Sequence, residues 1–142
     1  LAWVTGTAAM IGGALPRIEV LWLALLYGIG AHGIMTLNDF KAIKGDAQMG
    51  IRSLPVQLGA DGAARAASAI MALPQVVVIA LLLHWERPLQ AAIVAGLLAL
   101  QGWMMLRFIS TPVERALWYS GFGVPLYVSG MMAAAVAVRD LA

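Results

Sequence analysis

The chain has 142 residues, of which 62% are hydrophobic and 11% charged, with a net charge of +2 and a mean hydropathy of +0.87. Soluble domains carry roughly 25% charged residues, so this composition describes an all-α integral membrane protein. The lack of cysteine excludes disulfides and thiolate chemistry, and cations scattered along the chain speak against nucleic-acid binding.

Five apolar segments follow one another. The first, residues 1–15, opens on Leu1 already inside an apolar run and is stopped by Pro16. No charged region precedes it, so it does not read as a signal peptide. It is also short for the ~20 residues a spanning helix needs, so a longer parent chain with helices upstream is expected. The remaining helices are expected at about 18–38, 61–84, 88–109 and 113–138. Very short connections make adjacent helices antiparallel neighbours. Continuous rather than alternating apolar runs exclude a β-barrel.

Within the spans, Gly28, Gly30 and Gly33 imitate a dinucleotide fingerprint, but no strand precedes them. They read instead as small residues that let helices approach closely. Pro74 and Pro125 fall inside spans and are expected to kink them. Tyr119 and Tyr127 are candidates to line a cavity, and Trp3, Trp22, Trp103 and Trp118 read as interfacial or lipid-facing anchors.

The connection 39–60 is the only long polar one. Its end of the bundle holds Lys41, Lys44, Arg52, Arg65, Arg107 and Arg115, whereas the opposite end holds Arg17, Arg87 and Arg139. The positive-inside bias puts this loop on the cytoplasmic side. Asp39 and Asp46 are seven residues apart, two helical turns if the helix continues past Gly45. Two carboxylates and the Asn38 amide suit Mg²⁺, which typically takes one or two carboxylates and completes its shell with water and phosphate. Lys41, Lys44 and Arg52 suit a polyanion. Spacing alone leaves open a solvated loop with surface ion pairs.

The stretch NDFKAIKGDAQMGIRSLPVQLG, residues 38–59, resembles the second aspartate-rich motif of the UbiA superfamily of intramembrane prenyltransferases. Its form is similar to the chlorophyll and bacteriochlorophyll synthase branch, the bacterial one most. LPQVVVIALLL at 73–83, LQGWMMLRFIS at 100–110 and WYSGFGVPLYVSGMM at 118–132 agree. The resemblance implies a nine-helix bundle whose last five helices are those above. It implies transfer of a geranylgeranyl or phytyl group from its diphosphate to the propionate of a (bacterio)chlorophyllide, with Mg²⁺ as cofactor. On that reading Asp39 and Asp46, with Asn38 in support, hold the metal and are the catalytic pair. Lys41, Arg52 and more weakly Lys44 contact the diphosphate.

The resemblance also implies a photosynthetic or cytoplasmic membrane location among lipid, and association with other pigment-biosynthesis or photosynthetic membrane proteins. His32 is either a chlorin contact or a helix-packing residue. Two departures stand out: the family's earlier aspartate-rich motif is absent from these 142 residues, and Lys44 stands where relatives carry an acid. Residues 1–142 alone are therefore expected to be inactive. A non-catalytic pigment- or partner-binding subunit and a prenyltransferase acting on a quinone precursor are the rival readings.

Overall fold

The computed structural model describes residues 10–12 and 15–139, so the expected first span, 1–15, lies largely outside the described residues. Every element the described residues form is helical. Four helices are long and apolar enough to cross a bilayer: α1 (Ile18–Asp39), α3 (Leu54–His84), α4 (Pro88–Ser110) and α5 (Pro112–Arg139). A fifth, α2 (Ile43–Gln48), is short and lies between α1 and α3. Large apolar side chains such as Leu73, Leu106 and Leu117 face outward, as the lipid-contacting surface of a multi-pass membrane protein requires.

The helices alternate in direction. α1 packs chiefly on α3, α5 chiefly on α4, and α3 against α4. The α3–α4 turn is closed by bonds from Glu86 N to Leu83 O at 3.1 Å and Arg87 N to Leu82 O at 2.8 Å. This is the double bond of a Schellman cap, and it puts Glu86 in the left-handed region at φ 58°.

A short helical piece, Leu54–Leu58, precedes the third expected span, because Ser53 adopts an extended N-cap conformation and Pro55 suits its first turn. The helix breaks at Gly59, whose φ of 71° and ψ of 167° are not helical, and the long stretch of α3 resumes at Ala60, next to the expected Asp61. The stretch expected as loop therefore holds two helical pieces, α2 and Leu54–Leu58. Pro74 and Pro125 sit inside helices that continue through them; among the described residues of α3 the departure from helical backbone is at Gly59, not at Pro74.

Two buried sets of contacts hold the bundle together. A buried chain of side-chain bonds links three helices: Gln75 Nε2 donates to Gln101 Oε1 at 2.8 Å, and Gln101 Nε2 donates to the Tyr119 hydroxyl at 3.0 Å. Gln75 Nε2 also donates to Met71 O at 2.9 Å. On the α1 side, the Tyr127 hydroxyl donates to the Tyr27 carbonyl at 2.7 Å, and the two rings meet edge to face at 5.2 Å. Both Tyr119 and Tyr127 are thus buried framework, not cavity lining.

Small residues make the contacts possible. The Tyr127 ring lies directly on Gly30, and Gly33 faces Met71 and the Ala67 carbonyl. A Cβ on Gly33 would stand 2.7 Å from that carbonyl oxygen, which is backbone and yields only if a helix moves. Gly33→Val should therefore destabilise the bundle by about 1–3 kcal/mol through overpacking. Gly28→Val should be near neutral, since a Cβ there meets nothing within 4 Å. Thermal unfolding in detergent, followed by the exposure of buried tyrosines, separates the two.

Candidate functional site

The polar island is built where α1 ends. Thr36 and Leu37 are buried and Phe40 is 5% exposed, so the last turn of α1 is held against the bundle. Asp39, between Asn38 and Phe40, is half-buried, while Asn38 is exposed. Bonds from Lys41 N to Asn38 O at 3.2 Å and Ala42 N to Asp39 O at 3.0 Å carry the chain into α2. Asp46 lies on α2, also half-buried. Burial is the main influence on the Asp39 carboxyl, and the charge of Asp46 is the second.

Gly50 ends α2. Its φ of 70° is left-handed, and around it run Ile51 N to Asp46 O at 2.8 Å and Gly50 N to Ala47 O at 3.4 Å. These are the two bonds of a Schellman cap, which favours glycine at this position. Asp46 is thereby pinned at both backbone groups, because its N–H also donates to Ala42 O at 2.8 Å. Beyond the cap, the Gln57 side chain donates to the Arg52 carbonyl and ties the motif's arginine to the first turn of α3.

Lys41, Lys44 and Arg52 are exposed. Among the described residues none of them forms an ion pair with Asp39 or Asp46, so a loop closed by its own surface ion pairs is not what forms. Nor do three His, Asp or Glu side chains converge as a metal cage among those residues. The donor set is two half-buried carboxylates and a neighbouring amide. That set fits a hard divalent cation that draws its other ligands from water and phosphate, and does not fit an all-protein cage. His32 is exposed on α1 and not packed between helices.

The sequence reading missed Phe40. Its ring meets Phe108 at 5.5 Å, and Phe108 stacks on Tyr119 at 5.1 Å. The aromatic side chain inside a polar motif was the available signal. It also missed Gly50, for which the Met-Gly-Ile-Arg spacing after a short polar helix was the cue.

A membrane bundle with a carboxylate pair at one mouth defines the class, and residues 1–123 match the UbiA prenyltransferase family. The chain belongs to that family. It is 50% identical over 99% of its length to the bacteriochlorophyll synthase 33 kDa chain of Cereibacter sphaeroides, and 48% identical over 96% to the 34 kDa chain of Chloroflexus aurantiacus. It is 33% identical over 96% of its length to the chloroplastic chlorophyll synthase of Arabidopsis thaliana. The chain spans 46%, 43% and 35% of these three curated relatives. No solved structure matches it.

Gly50→Val should strain the cap by roughly 1–2 kcal/mol, the penalty for a side chain in the left-handed region. The expected result is faster amide exchange at Ile51 and Asp46, with exchange in α4 unchanged. Equal protection in both proteins would show that the cap does not order α2.

Proposed function

We propose that the protein carrying this chain esterifies the propionate of a (bacterio)chlorophyllide with geranylgeranyl or phytyl diphosphate, the last step of (bacterio)chlorophyll synthesis. The observation that carries the reading is the pair Asp39 and Asp46. These carboxylates are half-buried and lack a cation partner among the described residues, at the mouth of an apolar bundle. Similarity to bacteriochlorophyll synthases at 45–50% identity supports a chlorin acceptor over a quinone precursor.

The chemistry is a substitution at an allylic carbon. The carbon–oxygen bond to the diphosphate breaks, the diphosphate leaves with the electron pair, and a propionate oxygen forms the ester bond. Carboxylates of reference pKa near 4 are already ionised at neutral pH, so no protein base is required. Asp39 and Asp46, with Asn38 beside them, are the residues to hold Mg²⁺. A divalent cation held there would supply charge neutralisation for the diphosphate leaving group. Lys41 and Arg52 bind the same diphosphate, and Lys44 adds a weaker contact. Exposed lysine and arginine side chains reach a phosphate without first breaking an ion pair. The apolar bundle keeps water from the allylic cation.

The wider arrangement is part of the same proposal. Residues 1–15 and the four long helices correspond to the last five of nine family helices. The island faces the cytoplasm, as the excess of lysine and arginine at its end of the bundle supports.

In the active protein, Asp39→Asn or Asp46→Asn should abolish esterification, measured by pigment extraction and chromatography. Esterification at the unsubstituted rate in either variant would remove that residue from the site. A wild-type protein that retains chlorophyllide without esterifying it would point to a pigment-binding subunit.

Arg52→Gln and Lys41→Gln should each lower catalytic efficiency toward the prenyl diphosphate about tenfold or more. A charge-assisted contact contributes roughly 1.5–3 kcal/mol. Chlorophyllide affinity should stay unchanged. Kinetics with each substrate varied separately test this; a loss confined to chlorophyllide would set these cations against the propionate instead.

A further inference from the structure

A second charged feature lies at the same end of the bundle, at the turn between α4 and α5. Arg107 and Arg115, with Trp118, line a pocket of about 350 Å³. The Arg107 guanidinium sits 4.2 Å above the Trp103 ring, and Arg115 Nη1 donates to the Arg107 carbonyl at 3.2 Å. Both guanidiniums are thus oriented by the fold. Among the described residues neither pairs with a carboxylate. Glu114 is exposed beside Arg115 in the chain but does not line the pocket. The pocket therefore holds two positive charges with no counter-charge of its own, and the N-terminus of α5 adds to them.

Below it runs an apolar trough of about 260 Å³, lined by Leu100, Met104, Trp118, Phe122 and Leu126. Trp118 belongs to both, so the cationic pocket and the trough adjoin at its ring. From Arg107 to Leu100 the trough descends about 10 Å into the membrane at 1.5 Å per residue. It opens outward, for Leu100 and Phe122 are 49% and 61% exposed. The next residue after Arg107, Phe108, is fully buried against Phe40 and Tyr119. The pocket is accordingly lined by a different face of α4 from the one that meets Phe40, and shares no lining residue with the Asp39–Asp46 site.

We propose that this outer face binds an anionic phospholipid, its phosphate between Arg107 and Arg115 and one acyl chain in the trough. The argument is complementarity of both ends. Basic pockets between spanning helices recognise anionic headgroups, and guanidinium forks match phosphate oxygens. The trough asks for a hydrocarbon chain attached to that phosphate. Openness to the bilayer favours a resident lipid over a small soluble anion. The proposal does not rest on the catalytic reading.

Native mass spectrometry of the protein in neutral detergent tests it, with dioleoylphosphatidylglycerol and dioleoylphosphatidylcholine as probes. The protein should retain the anionic lipid preferentially. Arg107→Gln with Arg115→Gln should weaken that binding roughly tenfold or more, since each cation near the membrane surface adds its own increment of attraction, and erase the preference. Arg107→Lys with Arg115→Lys keeps the charge and should retain most of it, which separates charge loss from misfolding. Leu100→Trp fills the trough and should also weaken binding, with the arginines intact. Unchanged lipid retention in the glutamine variant, or equal retention of the two lipids by the unsubstituted protein, overturns the proposal. So does displacement of the lipid by millimolar inorganic phosphate, which would make the pocket a free-anion site. Displacement by micromolar geranylgeranyl diphosphate would make it a substrate entry point, and likewise overturns it.

Discussion

Helices in lipid gain nothing from leaving it, because acyl chains are as apolar as leucine. Association then rests on close packing and on polar groups that find no partner elsewhere. In this protein the Gln75–Gln101–Tyr119 chain meets that constraint for α3, α4 and α5 together. Interhelical hydrogen bonds in membranes average only ~0.6 kcal/mol each, so two of them supply about 1 kcal/mol of stability. Their larger effect is on register. A shift of α4 by a single residue would strand the Gln101 amide and the Tyr119 phenol, and an unsatisfied buried polar group costs about 1–3 kcal/mol. The wrong arrangements are penalised more than the right one is rewarded.

That register is transmitted to the island through rings. Tyr119 receives the Gln101 bond at its hydroxyl and stacks on Phe108, and Phe108 touches Phe40. Phe40 is the residue after Asp39. A carboxylate at the membrane boundary is thus positioned by packing that begins with a glutamine of α3. α1 reaches the same frame by a different route, through Tyr127 over Gly30 and Met71 against Gly33. Both routes depend on a small residue or an aromatic ring at a position where lipid-facing sequence tolerates almost any apolar side chain.

The spans were legible from the sequence because hydropathy registers solvent, and the bilayer is the solvent. The motif was legible because its residue types are rare in apolar surroundings. The remaining features depend on conformation or on distant pairing. Gly59 and Gly50 look alike as letters, yet one interrupts a helix and the other caps one; only the positive φ at each distinguishes them from Gly28 or Gly96. The roles of Tyr27 and Tyr127 depend on a bond across 100 residues, which no local window contains. The short piece Leu54–Leu58 was not legible because it is helical on the strength of Ser53 and Pro55, not of its own hydrophobic period. For Arg107 and Arg115 the eight-residue spacing across a helix turn gave no sign that both line one pocket.

The island's electrostatics are consistent with its proposed work. Two half-buried carboxylates close in the chain, with no cation paired to them among the described residues, form an arrangement that would suit a divalent ion. What keeps it from relaxing is backbone. Asp39 is fixed by the last turn of α1 and by Phe40, and Asp46 by bonds at both its N–H and its carbonyl. Ligands held this way need no ion pair broken and little reordering when a cation arrives, so less of the binding energy is spent on organisation. The three cations show the opposite design. They are exposed, long and unpaired with the acids, suited to close over a diphosphate only after it is in place. On the proposed function the acids would mark where the leaving group's charge develops, and the exposed cations would close over it.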